Sequence, residues 1–393
     1  MSFELLTSDF YGFETGLTDQ EKDMIVRLRA FLDEQVRPFA NDLWSRAEFF
    51  DRSVVTGLAE LGLFGNPWEE TQQFPNSAVF RGWTALELAR VDASVATLVG
   101  VQNGLVMGSI AVAGSPEQRA EWMPKFASGE LLGAFALTEP LSGSDSAQGL
   151  RTVAQRDGDN WVINGAKRWI GNGSISDVTI VWAKDADDGQ VKGFIVPTST
   201  EGYSAKRIEN KQALRIVQNA DIVLENVVVP ESNRLQLSKS FRDTAAVLRL
   251  TRAEVAWAAV GNSVGAYEAA VKYAGERMQF GKEIGGHQLV QELLAKSLGN
   301  ITASIGMVTR VSAMLDEGIQ RDEHAALAKE FTASRMRETV AWCRELLGGN
   351  GIVLDYGVMR HFADAEAIYS YEGTREMNTL IVGRAITGKA AFV

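Results

Sequence analysis

The chain has 393 residues, long for one core and enough for two or three domains at roughly 150 residues each. An apolar fraction of 46% suits a globular protein, and a net charge of −11, with lysines and arginines dispersed among acids, argues against a non-specific nucleic-acid binder. The lone cysteine, Cys343, excludes an internal disulfide and fits a reducing compartment.

The first residues, through Glu14, carry acids where a targeting peptide needs bases, so no such segment is read. The first third then reads as helices. Thr18 and Glu21 form a capping box, and Met24, Ile25, Leu28, Leu32 and Val36 follow at helical spacing. Pro38 marks a kink or stop. Apolar series run from Trp83 through Leu88 to Val95 and from Leu105 to Ala113, and Ser115-Pro116 opens a short helix. No run approaches the roughly 18 apolar residues of a membrane span.

Between about Gly133 and Pro230 the texture changes to short runs rich in valine, isoleucine and aromatics. They include Thr152–Gln155, Trp161–Ile163, Val178–Trp182, Gly193–Val196 and Ile222–Val229. Asp157-Gly158-Asp159-Asn160 and Ala186-Asp187-Asp188-Gly189 are hairpin-type turns. No helices separate the strands, which predicts an antiparallel barrel or sandwich rather than a parallel sheet.

From Phe241 helical spacing returns. Val247, Leu250, Val255, Val260 and Val264 mark one stretch, and Leu289, Leu293, Leu298, Ile301 and Ile305 another; Ala326–Leu347 and Phe362–Ala391 supply two more. Four long stretches predict a helical bundle. The expected fold class is α+β: an N-terminal all-α domain over 1–133, a middle β domain over 134–240 and a C-terminal four-helix bundle over 241–393. The ending Ala390-Ala391-Phe392-Val393 is not a peroxisomal signal, so a soluble cytoplasmic protein is expected.

Candidates for chemistry are few. His287, His324, His361 and Cys343 lie in no nucleophile elbow, redox pair or zinc frame, no metal site is read, and neither a Gly-x-Gly-x-x-Gly strand–helix turn nor a Walker loop occurs. Glu372, in Tyr371-Glu372-Gly373-Thr374, has an aromatic on one side and a glycine on the other, a setting that can bury a carboxyl and raise its pKa toward that of a general base. Four other segments carry groups suited to a planar cofactor with a diphosphate. In Phe135-Ala136-Leu137-Thr138-Glu139-Pro140-Leu141-Ser142-Gly143-Ser144-Asp145 hydroxyls flank a glycine; in Lys167-Arg168-Trp169-Ile170-Gly171-Asn172 an indole could cover a ring face. Arg277-Met278-Gln279-Phe280-Gly281-Lys282, followed by His287-Gln288, offers a guanidinium fork and an aromatic, and Leu346-Leu347-Gly348-Gly349-Asn350-Gly351 offers bare backbone. Each segment taken alone also reads as a turn, a cap or a core residue.

Taken together, Thr-Glu-Pro-x-x-Gly-Ser-Asp, Arg-x-x-Phe-Gly, Gly-Gly-Asn-Gly and Tyr-Glu-Gly-Thr, in this order, resemble the acyl-CoA dehydrogenase family over essentially the whole chain, to Gly383-Arg384-Ala385-Ile386-Thr387-Gly388. The resemblance implies FAD held between the β domain and the bundle. It places Phe135, Leu137, Thr138, Gly143 and Ser144 along the flavin and its phosphates, Trp169 over one ring face and Gly171 near flavin N5. Arg277, Gln279, Phe280, Gln288, Glu345 and Gly349 would reach a neighbouring subunit's FAD, which implies a homotetramer. Thr374 and Glu376 match cofactor-touching positions. Arg252 matches the position that holds the CoA moiety, and Ser144, Tyr371 and Gly373 would also touch substrate. Val95, Leu98 and Val99, with Asn103 and Met107, are expected to line the acyl pocket. By the family's chemistry Glu372 takes the α proton of an acyl-CoA and a hydride leaves the β carbon for the flavin, while the Glu372 backbone N–H and an FAD ribityl hydroxyl polarise the thioester.

Two positions depart from the family's patterns. The chain resembles glutaryl-CoA dehydrogenases at Arg90-Val91-Asp92 and at Gly383–Gly388, yet Ala96 stands where those enzymes place the arginine that holds a distal carboxylate. A plain, short, non-dicarboxylic acyl chain is therefore expected. Gly171, where many dehydrogenases have threonine, and Leu214-Arg215-Ile216-Val217-Gln218-Asn219 are similar to plant-type short-chain acyl-CoA oxidases. The electron acceptor is expected to be electron-transfer flavoprotein, with O2 as the alternative. A flavin monooxygenase of the same fold, or a non-catalytic flavin- or CoA-binding relative, are the readings from other classes, and Glu372 speaks against both.

Overall fold

Thr18 opens the helical part of the computed structural model as its sequence predicts, accepting from the Glu21 N–H while the Glu21 carboxylate accepts from the Thr18 N–H. The structure describes residues 3–391; Met1, Ser2, Phe392 and Val393, which belong to the two ends read above for targeting signals, lie outside the described residues. Helices α1 (Asp19–Gln35) and α2 (Arg37–Arg46) meet at Val36, with Pro38 in the first turn of α2. Helices α3 (Arg52–Glu60), α4 (Ala78–Val91), α5 (Ala93–Gly100), a π-helix (Val101–Met107), α6 (Gly108–Ala113) and α7 (Pro116–Ala127) complete the N-terminal part.

The apolar series through Val95 is not one helix. Asp92 leaves helical geometry and caps α5, accepting from the backbone N–H groups of Ser94 (2.8 Å) and Val95 (3.2 Å). Residues 93–113 do form one apolar helical run long enough, by length and composition, to cross a membrane, contrary to expectation. Two thirds of its most apolar window is buried against the rest of the protein, as in the core helix of a soluble protein.

The sheet comprises β1 (Gly133–Ala136), then, after the short α8 (Ser146–Gly149), β2 (Val153–Asp157), β3 (Asn160–Ile170), β4 (Val178–Asp185), β5 (Val191–Pro197), β6 (Tyr203–Arg207) and β7 (Ala220–Pro230). Its order is β1-β4-β2-β3-β7-β6, with β5 on β4. The expectation of purely antiparallel pairing is corrected here: β4 runs parallel to both β1 and β2. The β2–β3 hairpin and its flanking turns make the crossover, so no helical period marks it in the sequence.

Helix α9 (Phe241–Glu276) spans 36 residues, roughly 54 Å at 1.5 Å per residue. After the hairpin of β8 (Met278–Gln279) and β9 (Lys282–Glu283) come α10 (Gln288–Asp316), α11 (Asp322–Leu346), α12 (Val358–Ser370) and α13 (Arg375–Thr387). α9 packs on α4 as well as on the bundle, and the approach is close: a methyl built on Gly82 would stand 2.1 Å from the Trp257 ring. All three parts meet at buried Asp364 on α12, which accepts from Trp44 Nε1 (2.8 Å) and the Leu214 N–H (2.6 Å). The stretch Phe362–Ala391 is two helices, interrupted at Tyr371–Thr374.

Candidate active site

That interruption holds Glu372. Its φ of 54° is left-handed, and Gly373 follows at 84°. A non-glycine residue there costs roughly 1–2 kcal/mol, so the surroundings must impose it. Lys329, buried on α11, donates through Nζ to the carbonyls of Tyr369 (2.8 Å) and Gly373 (3.0 Å), and Asn378 Nδ2 also donates to Gly373 O (2.9 Å). Thr374 caps α13, accepting from the Met377 N–H. With the carbonyls pinned, the Glu372 backbone N–H makes no backbone hydrogen bond among the described residues.

The Glu372 side chain keeps a solvent-reachable edge but is closely surrounded by protein. Burial raises its pKa above the ordinary carboxylate value, while the Thr251 hydroxyl, Arg252 and Lys329 hold it down. Thr251 Oγ1 donates to Glu372 Oε2. Burial pushes Lys329 down to about 8, against the pull of Glu372. Thr251 and Lys329 escaped the sequence reading: a threonine beside an arginine and a lysine within a long helix carry no motif.

Arg252, expected to meet CoA, is ion-paired to Asp322, and its Nε is buried without a partner. Its guanidinium therefore already has an acidic neighbour, while one N–H remains available.

The two segments of the β domain are brought together. The Arg168 N–H donates to Thr138 O (2.9 Å), and Thr138 Oγ1 donates to Arg168 O (2.6 Å). Beneath them, fully buried Lys167 donates to Glu139 (2.9 Å), Leu137 O and Trp182 O. Trp169 stands at φ 65° and is 54% exposed, with the Arg168 guanidinium over its ring at 5.4 Å from the centroid. Gly143 has open space around its missing side chain, and Ser144 is exposed. A Cβ on Gly171 would stand 3.4 Å from Val101, at the start of the π-helix. From there Gly104 faces Thr251, and Thr251 reaches Glu372, so a short chain of contacts links Gly171 to the carboxylate.

Several expected contacts take a different form. The side chains of Phe135 and Leu137 are buried in the core beside Trp182 and Met107, so any contact they make with a cofactor falls to their backbone. Val95, Leu98 and Val99 are buried in one apolar cluster with Leu28, Leu88 and Ala96. Asn103 is structural, bonding to the Gly65 N–H (2.8 Å) and Leu63 O (2.7 Å).

Apart from Glu376, the remaining candidates gather far away. Arg277 follows the end of α9, 25 residues beyond Arg252, roughly 38 Å along the helix. Gln279, Phe280 and Gln288 are exposed beside it, Phe280 at 93% with φ 52°. Asn350 Nδ2 bonds to Tyr273 OH (2.9 Å), bringing the turn with exposed Glu345 and Gly349 to the same end of α9. Glu376 is exposed and paired with Arg375.

Three family models match successive parts of the chain: acyl-CoA dehydrogenase, N-terminal domain, over 18–130, middle domain over 134–227 and C-terminal domain over 241–387. An acyl-CoA dehydrogenase of Bacillus subtilis is 31% identical over 95% of this chain and 99% of its own. The crystal structure of glutaryl-CoA dehydrogenase from Mycobacterium smegmatis matches with a TM-score of 0.94 at 36% identity, over 98% of this chain and 99% of that one. A second structure of a glutaryl-CoA dehydrogenase from that organism, in complex with FADH2, matches at 0.93 and 34%, over 98% of each chain. Butyryl-CoA dehydrogenase from Megasphaera elsdenii matches with a TM-score of 0.89 at 28% identity, over 98% of this chain and 100% of that one.

Proposed function

The chain belongs to the acyl-CoA dehydrogenase family, and we propose that it desaturates a short, non-dicarboxylic acyl-CoA between its α and β carbons, with Glu372 as base and FAD as cofactor. The observation that carries this reading is the Glu372 carboxylate, raised in pKa and held beside its own unengaged backbone N–H. The carboxylate takes the α proton, and the N–H stabilises charge developing on the thioester oxygen, a role commonly worth about 3–4 kcal/mol per donor. Lys329 and Asn378 fix both groups by anchoring the loop carbonyls.

The residues present fit FAD. Ser142 Oγ and Asn172 Nδ2 are buried polar atoms without partners among the described residues, in the same segments as the half-exposed indole of Trp169 and the open backbone at Gly143. Thr138, Ser144, Trp169, Gly171 and Thr374 would hold the flavin end. Arg277, Gln279, Phe280, Gln288, Glu345 and Gly349 lie too far from Glu372 to serve the same end of the molecule, which supports their serving a second subunit's FAD in a homotetramer. Bound FAD supplies the two-electron acceptor for the β hydrogen, and electron-transfer flavoprotein is the proposed onward partner.

A glutarate-like substrate is disfavoured. Ala96 offers no cation, and nearby Arg90 is already claimed by Glu87 (2.8 Å) and Glu268 (2.9 Å). A distal carboxylate would be left unpaired at a cost of several kcal/mol. Anaerobic titration with butyryl-CoA tests the reading: bleaching of the flavin absorbance is expected, and an unchanged spectrum across acyl-CoAs from C4 to C16 overturns it. Repeating the titration in air assigns the acceptor, since stoichiometric peroxide would identify an oxidase.

A further inference from the structure

A second carboxylate, Glu254, lies near Glu372, and the chemistry described so far does not use it. Glu254 lies three residues beyond Thr251 on α9, so the two project from the same face of that helix. A methyl built on Gly104 of the π-helix would stand 2.5 Å from Thr251 Cγ2 and 3.5 Å from Glu254 Oε2. The Glu254 carboxylate thus faces the same glycine as the residue that holds the base, one helical turn of about 5 Å away. Its side chain is partly accessible, although protein surrounds it deeply enough for burial to push its pKa up to about 7, with Arg81 pulling it down and Glu372 pushing it up.

The groups around Glu254 are committed elsewhere. Thr251 donates to Glu372, Arg252 pairs with Asp322, and Arg81 Nη1 donates to Asn76 O (3.1 Å) and Oδ1 (3.0 Å). The charges acting on Arg81 are Glu254, Asp316 and Glu21, three carboxylates against one guanidinium. No side chain among the described residues donates a hydrogen bond to Glu254. A plain alkyl chain packed against Glu254 would cut it off from water and give nothing in return, the expensive case for a buried polar group. A chain ending in a carboxylate would add a fourth negative charge.

We propose that Glu254 is the recognition group for the distal part of the acyl chain, and that the preferred acyl-CoA carries a hydrogen-bond donor, a hydroxyl or an ammonium, a few carbons beyond its reacting α carbon. The proposal rests on the acyl-CoA reading of this site and replaces the plain chain expected from Ala96. Glu254 is a specificity residue: it meets the far end of the substrate, while Glu372 meets the reacting carbon.

The test compares kcat/KM of the FAD-loaded enzyme for hexanoyl-CoA, 6-hydroxyhexanoyl-CoA and 6-aminohexanoyl-CoA. At least one donor-bearing chain is expected to exceed hexanoyl-CoA tenfold or more, and which of the two wins identifies the donor. Glu254→Leu should invert that ratio by improving hexanoyl-CoA and weakening the donor-bearing substrate, with flavin content per chain as the check on folding. Glu254→Gln, of equal size, should keep a hydroxyl substrate and lose an ammonium one. Equal or better use of hexanoyl-CoA by the wild type, with a ratio unmoved in Glu254→Leu and Glu254→Gln, overturns the proposal while leaving acyl-CoA dehydrogenation standing. Flavin that none of the acyl-CoAs bleaches overturns both.

Discussion

Thr251 is one of the groups that act on the ionisation of the proposed base, through one hydrogen bond. Its hydroxyl donates to Glu372 Oε2 and so favours the charged carboxylate, opposing the burial that raises the pKa. The base must be ionised in the free enzyme, so kcat/KM falls as pH drops through the Glu372 pKa. Thr251→Val removes the donor at nearly constant volume and raises that pKa. The acid limb of the kcat/KM profile should therefore move upward by about one pH unit, the scale of a hydrogen bond to a charged group. A limb that stays in place would remove Thr251 from the account. Glu372 was legible in the sequence because the order of the cofactor-type segments before it resembles a family whose base stands at that position. Thr251, Lys329 and Glu254 were not, because their roles come from helices α9 and α11 meeting the loop at 371–374, and helical spacing alone does not say which turn meets which loop.

The junction between α4 and α5 depends on one buried ion pair. Asp92 caps α5 and accepts from Arg360 Nη1 on α12 (2.5 Å), while Arg360 Nη2 donates to Val91 O (2.9 Å). Burial raises the Asp92 pKa, and Arg360 counters it. Arg360→Leu leaves that carboxylate buried and alone, so chemical unfolding should show a loss of about 3–5 kcal/mol. The double variant with Asp92→Asn should lose less, because no charge is stranded. Capping explains what the sequence could and could not show at this scale. The box at Thr18 was readable as a short motif and is present, whereas at Ser115 the sequence marked only a helix start and the structure adds a capping box with Gln118. The break at Asp92 sat inside an apolar run, and the parallel pairing of β4 with β1 and β2 depends on a crossover without a helical signature. The interruption at 371–374 was hidden the same way, within a stretch whose helical spacing continues on either side.

Across the whole molecule, α9 runs from Thr251 beside Glu372 to the exposed cluster around Phe280. The three-part α+β organisation was visible from changes in texture, and the cofactor segments from their order. The resemblance had already divided these segments into two sets; what the sequence could not convey is that one long helix, α9, holds the two sets apart. Of the eight non-glycine residues with positive φ among those described, Trp169, Asn172, Phe280 and Glu372 lie in these segments, as expected where function imposes conformation. Phe280 packs only edge-on against His287 and is otherwise open. Phe280→Ala should leave the thermal midpoint essentially unchanged yet weaken FAD binding roughly three- to tenfold, the scale of one lost aromatic contact. Unaltered FAD retention through gel filtration would detach the hairpin from the cofactor. The central claim is that Glu372 takes the α proton, and stopped-flow anaerobic reduction of Glu372→Gln tests it most directly. The account predicts a yellow, FAD-loaded protein that still binds butyryl-CoA but whose flavin bleaches about 10²–10⁴-fold more slowly, or not at all. Bleaching at the wild-type rate would contradict it.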